Sequence, residues 1–299
     1  MNAPRLCIFG EVLFDHFADG KRVLGGAPFN VAWHLQAFGE APRFISRVGD
    51  DAEGNQIRAA MRAWGMDLGG LQTDPERPTG KVAVSIKNGE PTYDIVEDCA
   101  YDAIDAAAVA ASTANLSCQL LYHGSLALRH ELSRAALLQL AAAKPRTLFV
   151  DVNLRTPWWQ REAILDMLQL ASWAKLNEDE LALLGRNAQD LMLEPAEFLR
   201  EFDLQGLLVT RGAAGAELHT VGDEFLQVNP DRNVVKVDTV GAGDAFSAVM
   251  ILGLVRKWPL QMTLQRAQEF ASKIVGQRGA TVSDPDFYQS IAENWKQVH

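Results

Sequence analysis

Apolar residues along this chain fall into short unbroken runs, separated by longer stretches in which they recur every three or four positions. Residues 5–10, 43–48, 119–123, 147–151, 172–176 and 206–210 are runs of five or six. That is the length and texture of strands buried on both faces. Between them lie helix-length stretches at 29–38, 53–64, 131–142, 159–170 and 194–202, and the Ala-rich segment 103–114 is good helix. Alternating strand and helix predicts an α/β fold with a mostly parallel central sheet and helices on both faces. After residue 210 the texture changes. Residues 216–220 and 224–228 read as antiparallel additions, followed by helices near 242–255, 264–276 and 285–296.

Two segments break the rhythm. Residues 12–25 alternate weakly and turn at Asp19-Gly20, while 81–87 and 92–96 flank Asn88-Gly89, a strong hairpin dipeptide. Neither hairpin fits a crossover between parallel strands. The expectation is a small β-sheet lid, formed by about 11–25 and 78–100, inserted in a single α/β domain spanning 1–299.

Composition narrows the class. The chain has 299 residues, 48% apolar and 22% charged, enough for a sizeable core, and its formal charge is −10. A net acidic surface offers nucleic acid or an anionic membrane no electrostatic footprint, though a local basic pocket for a small anion stays open. Cys7, Cys99 and Cys118 are too few and too scattered for a disulfide framework or a zinc site. The first ten residues lack a charged-then-apolar leader pattern, and the apolar run 248–255 is far short of the ~20 residues that span a bilayer. The expected location is cytoplasmic.

Two strings carry candidate chemistry. In Gly25-Gly26-Ala27-Pro28-Phe29-Asn30, paired glycines and a proline open a helix whose free N–H groups a ligand can approach, with Asn30 in its first turn. Alone, the string also reads as an ordinary loop-to-helix start. In Asp238-Thr239-Val240-Gly241-Ala242-Gly243-Asp244, three small residues let backbone amides converge on one anionic group at a helix N-terminus. An aspartate there would repel a phosphate, so Asp244 makes sense aimed at an attacking hydroxyl as a general base. Other phosphate-binding schemes fail. Gly20-Lys21 and Gly80-Lys81 lack the Walker spacing, and no glycine-rich turn follows the first strand. Gly-x-Ser-x-Gly is missing too, and Arg134 stands where a zincin needs histidine.

These strings resemble the two signatures of the ribokinase-like (PfkB) carbohydrate kinases, and further landmarks follow in the family's order. Asn177-Glu178-Asp179-Glu180 resembles its Asn-x-x-Glu motif, although the same letters fit a helix capping box. Thr210-Arg211-Gly212-Ala213-Ala214-Gly215 is similar to the nucleotide-site turn, and would also pass as a hairpin. Asp15 is similar to the family's sugar-hydroxyl ligand. Gly25 to Asn30, His123-Gly124-Ser125 and Asp151-Val152-Asn153-Leu154-Arg155 resemble fructokinase strings, the last also resembling 2-keto-3-deoxygluconate kinases.

The resemblance implies a ribokinase-like three-layer sandwich and an ATP-dependent sugar kinase, with D-fructose the favoured substrate. It implies that Asp15, Gly26, Asn30 and Arg155 hold the sugar. Asp244 would be the base, beside an anion hole of Gly241, Ala242 and Gly243. Asn177, Thr210, Gly212, Gly215 and Gly243 would line the nucleotide site. Glu180 would hold Mg2+ through water, and Asp238 a monovalent cation such as K+ in some members. Exposed lid edges suggest a homodimer paired through that sheet. The alternatives are another sugar or nucleoside kinase on this scaffold and, in a different class, a non-catalytic sugar or nucleotide sensor.

Overall fold

The computed structural model describes residues 6–87, 90–186, 192–222, 224–230 and 236–297; the Asn88-Gly89 turn lies outside them. In chain order the elements are β1 (Leu6–Phe9), β2 (Leu13–Phe17), β3 (Arg22–Gly25), α1 (Ala27–Ala37), β4 (Arg43–Gly49), α2 (Ala52–Ala63), β5 (Leu71–Asp74), β6 (Gly80–Lys87) and β7 (Glu90–Ile95). Then come α3 (Ala106–Thr113), β8 (Leu120–His123), α4 (Glu131–Ala141), β9 (Thr147–Asp151), α5 (Arg161–Leu170), β10 (Trp173–Asn177), α6 (Glu178–Leu184) and α7 (Pro195–Glu201). Last are β11 (Gly206–Thr210), β12 (Ala216–Thr220), β13 (Phe225–Val228), α8 (Ala242–Arg256), α9 (Leu260–Val275) and α10 (Pro285–Gln297).

The large sheet runs β13-β12-β11-β10-β9-β8-β1-β4-β5. Its strands are parallel from β11 to β5, and the β12 and β13 additions are antiparallel. Strand alternation sends Leu6, Ile8, Phe149 and Leu208 to one face and Cys7, Phe9, Val150 and Val209 to the other. The first face is covered by α1, α2, α8, α9 and α10, the second by α3 to α7. Three layers result.

Helices α1 and α8 are apolar almost all round. Residues 28–35 and 245–253 are buried without interruption. A helix of that texture lies within the core rather than on it, so whatever polar residue sits at its first turn is held firmly. The small sheet runs β3-β2-β6-β7, a pair of hairpins joined by the parallel β2–β6 ladder. Leu13, Val82, Val84 and Ile95 on its inner side pack with Tyr101 and Leu126.

Two local features differ from the expectation. Strand β5 was not anticipated: Leu71-Gln72-Thr73-Asp74 carries one apolar residue, and its strand state comes from pairing with β4. The predicted helix 103–114 divides at Asp105. Its carboxylate caps α3 by accepting the Ala108 N–H, and Ala100–Ala103 closes as a separate 3-10 turn.

Candidate active site

The parallel strands present their carboxyl ends at one edge of the large sheet, where ligands of open α/β folds bind. At β1's end, Gly10 and Glu11 turn against the start of α1. Gly26 adopts φ +110°, and a side chain there would lie 2.6 Å from the Glu11 carbonyl oxygen. Only glycine permits that approach. It places Asn30, 4% exposed, in the first turn of α1.

The second string forms the start of α8. Gly241 takes a left-handed conformation, φ +80°, and a side chain there would lie 2.4 Å from the Ala280 Cα. The Ala245 N–H makes the first helical bond, to the Gly241 carbonyl, and the Ala242 N–H reaches Thr239. The Gly243 and Asp244 N–H groups have no partner among the described residues. Two free amides at the positive end of a long helix make a seat for one anion.

Asn30 donates its side-chain N–H to Asp244 Oδ2 at 2.8 Å. Part of Asp244 is open to solvent, but its carboxyl sits deep and burial pushes its pKa up to about 6, opposed by the Asn30 hydrogen bond. Burial raises Asp15 as well, against the pull of Arg155. The Arg155 side chain is exposed and has no hydrogen-bond or ion-pair partner among the described residues, yet its charge reaches Glu11, Asp15 and Asp244. Three carboxyls of the site therefore share the field of one exposed guanidinium.

Sequence reading missed three members. Glu11 is buried, its pKa pushed by burial to about 7, and its Oε2 has no partner. Lys175 and Asp151 form an ion pair beneath the α8 turn, Nζ lying 2.9 and 2.8 Å from the two carboxylate oxygens. Burial works against the Lys175 ammonium, but Asp151 holds its pKa above the ordinary lysine value. A signal existed: Lys175 interrupts the apolar run Trp173-Ala174-Lys175-Leu176, and a charge inside a buried strand demands a partner.

The nucleotide-site candidates gather at the neighbouring strand ends. Asn177 and Thr210 face each other across the β10–β11 ladder, and the turn holding Gly212 and Gly215 closes with the Arg211 N–H on the Gly215 carbonyl. Asn177 and Glu180 do form a capping box for α6. Glu180 also accepts the Leu154 N–H at 2.7 Å, tying α6 to the residue before Arg155. Each of its oxygens thus takes one backbone N–H, leaving lone pairs for water but no direct metal cage. No cluster of three or more metal-ligating acids, histidines or cysteines occurs among the described residues. Asp238 accepts the N–H groups of Val240 and Gly279, joining the loop before α8 to the turn beside Ala280. No helix among the described residues is long and apolar enough to cross a membrane.

A carboxylate beside two free amides can take a proton from a hydroxyl while the amides receive a migrating anion. The pfkB family carbohydrate kinase model matches residues 6–286. A fructokinase of Klebsiella pneumoniae is 33% identical over 269 residues, 84% of each chain. Two solved structures share the fold at TM-score 0.80. One is a Vibrio cholerae fructokinase with fructose, ADP and calcium ion bound, at 23% identity and covering 97% of this chain and 99% of that one. The other is a Salmonella enterica aminoimidazole riboside kinase with its riboside and an ATP analogue, at 24% identity and covering 96% and 99%. With the match running from β1 into α10, and the glycine turn and its aspartate standing where the strands end, the chain belongs to the pfkB family of carbohydrate kinases.

Proposed function

We propose that the enzyme transfers the γ-phosphate of ATP to a primary hydroxyl of D-fructose, giving fructose 6-phosphate. The observation that carries the reading is the Asn30–Asp244 hydrogen bond at the N-terminus of α8. Asp15, Gly26 and Asn30 hold sugar hydroxyls, and the small sheet closes over them as a lid. Asp244 accepts the hydroxyl proton as the oxygen attacks, an effect worth ~10²–10⁴-fold. The free amides at the start of α8, those of Gly243 and Asp244, stabilise charge on the phosphoryl group in transit. Asn177, Thr210, Gly212 and Gly215 border the nucleotide. The donor set fits a magnesium ion that arrives with ATP, Glu180 reaching it through water. Bound there, magnesium would offset phosphate charge. Asp238 and the Val240 carbonyl would hold a monovalent cation such as K+, tested by replacing K+ in the assay. Pairing through the lid sheet would give a homodimer, and a monomeric mass in light scattering would remove it. The expected location is cytoplasmic.

The fold alone does not choose the sugar, since the fructokinase and the riboside kinase are equally similar in TM-score. Support for fructose comes from the Klebsiella relative. The free guanidinium of Arg155 favours a second reading, a keto-deoxy sugar acid whose carboxylate it would bind. A panel of sugars and sugar acids with ATP and magnesium, read as ADP release, decides. Fastest turnover on fructose is expected. Fastest turnover on a sugar acid selects the second reading, and no ADP with any sugar, despite thermal stabilisation by one, selects a sensor.

A further inference from the structure

The ion pair beneath the α8 turn has a position that stability alone does not explain. Taking an ammonium and a carboxylate out of water costs several kcal/mol each, and well-packed hydrocarbon often serves a fold equally well. Here the carboxylate is fixed from three elements. Asp151 on β9 receives Lys175 from β10, the Ser247 Oγ–H from α8 at 2.8 Å and the Tyr122 hydroxyl from β8 at 3.4 Å. Ser247 lies three residues beyond Asp244, a little under one helical turn, so the clamp is built into the helix that carries the base. The ammonium therefore cannot swing away.

Above it is Gly243. A side chain there would stand 3.4 Å from Lys175 Nζ, and, apart from its chain neighbours and the backbone of its own helix turn, no other heavy atom of the described residues lies within 4 Å of that point. The missing side chain leaves the ammonium facing the seat whose amides are free. With Asp151 engaging Nζ through two contacts, at least one of its three N–H groups has no acceptor among the described residues.

Charge makes the placement informative. Glu11, Asp15 and Asp244 put three carboxyls at the site, and Glu180 adds to the field felt by Lys175. A triphosphate approaching that wall needs a fixed cation. Arg155 is exposed, whereas the buried Lys175 brings its Nζ against Gly243, one of the two residues whose amides are free.

We propose that Lys175, clamped by Asp151, is the positioning charge of the anion hole, drawing the terminal phosphoryl group of ATP onto the Gly243 and Asp244 amides through the gap at Gly243. This rests on the kinase reading above. Because ADP lacks that terminal group, the difference between ATP and ADP binding isolates the effect. Lys175→Met alone would strand Asp151 unpaired, so the test uses the neutral pair Asp151→Asn with Lys175→Met, which keeps volume and the Ser247 hydrogen bond. Calorimetry with ATP, with ADP and with fructose, each in magnesium, is compared between wild type and variant, alongside the melting temperature. The proposal expects ATP affinity to fall at least tenfold while ADP stays within about threefold and fructose within about twofold. An equal loss for ATP and ADP, or no loss for either, overturns it and leaves the kinase reading standing. A wild type that binds neither nucleotide overturns the kinase reading and the proposal together.

Discussion

Asn30 and Asp244 stand 214 positions apart in the chain and meet through a 2.8 Å hydrogen bond. The bond joins the first turns of two helices that are otherwise wrapped in hydrocarbon. It favours the charged form of Asp244 where burial favours the neutral one, and the balance leaves the carboxyl near 6.

Asp244→Asn should lose turnover by about 10²–10⁴-fold while calorimetry shows sugar and ATP affinities within a few fold of wild type. The same change should stabilise the fold at neutral pH. The folded carboxyl titrates near 6 against an ordinary 3.8, so the folded state holds its proton more tightly. Stability from this group is complete below about pH 4 and lost as pH rises through 6. Removing the charge recovers up to about 3 kcal/mol at pH 7, seen as a raised melting temperature at pH 7 and a smaller rise at pH 4.

Asn30→Ala removes a donor that stabilises the Asp244 carboxylate. In wild type, kcat/KM should fall below about pH 6 as Asp244 takes up its proton. In the variant that acid limb should move to higher pH by roughly one unit, in keeping with a hydrogen bond to a charged group. A limb that stays in place would show that Asp244 is not the titrating base.

Gly26→Ala forces a side chain toward the Glu11 carbonyl at a φ of +110°. Strain and clash together should cost about 2–4 kcal/mol. Denaturant unfolding should show that loss, and the sugar KM should rise more than the ATP KM, because the displaced element is the start of α1.

Glu180→Gln keeps one acceptor oxygen but turns the other into a donor facing a backbone N–H. Either the Asn177 or the Leu154 amide then goes unpaired, at about 1–3 kcal/mol. Since Leu154 precedes Arg155, turnover should fall about tenfold or more, and raising magnesium should not restore it. Full recovery at high magnesium would place the role of Glu180 at the metal alone.

Much of this protein is written locally. Strand and helix alternation, the helix starts at 26–30 and 241–244 and the capping box at Asn177 and Glu180 all depend on neighbours within about four residues, so the chain by itself determines them. Strand β5 does not belong to that group, because its polar residues became a strand only by pairing with β4. The tertiary structure alone decided that Asn30 reaches Asp244, that Glu180 also holds Leu154, and that Lys175 lies under Gly243. Those relationships join residues from separate elements, and their strength comes from exclusion of water. Both conditions arise only when helices and sheet have closed on one another, which no stretch of residues encodes without the rest.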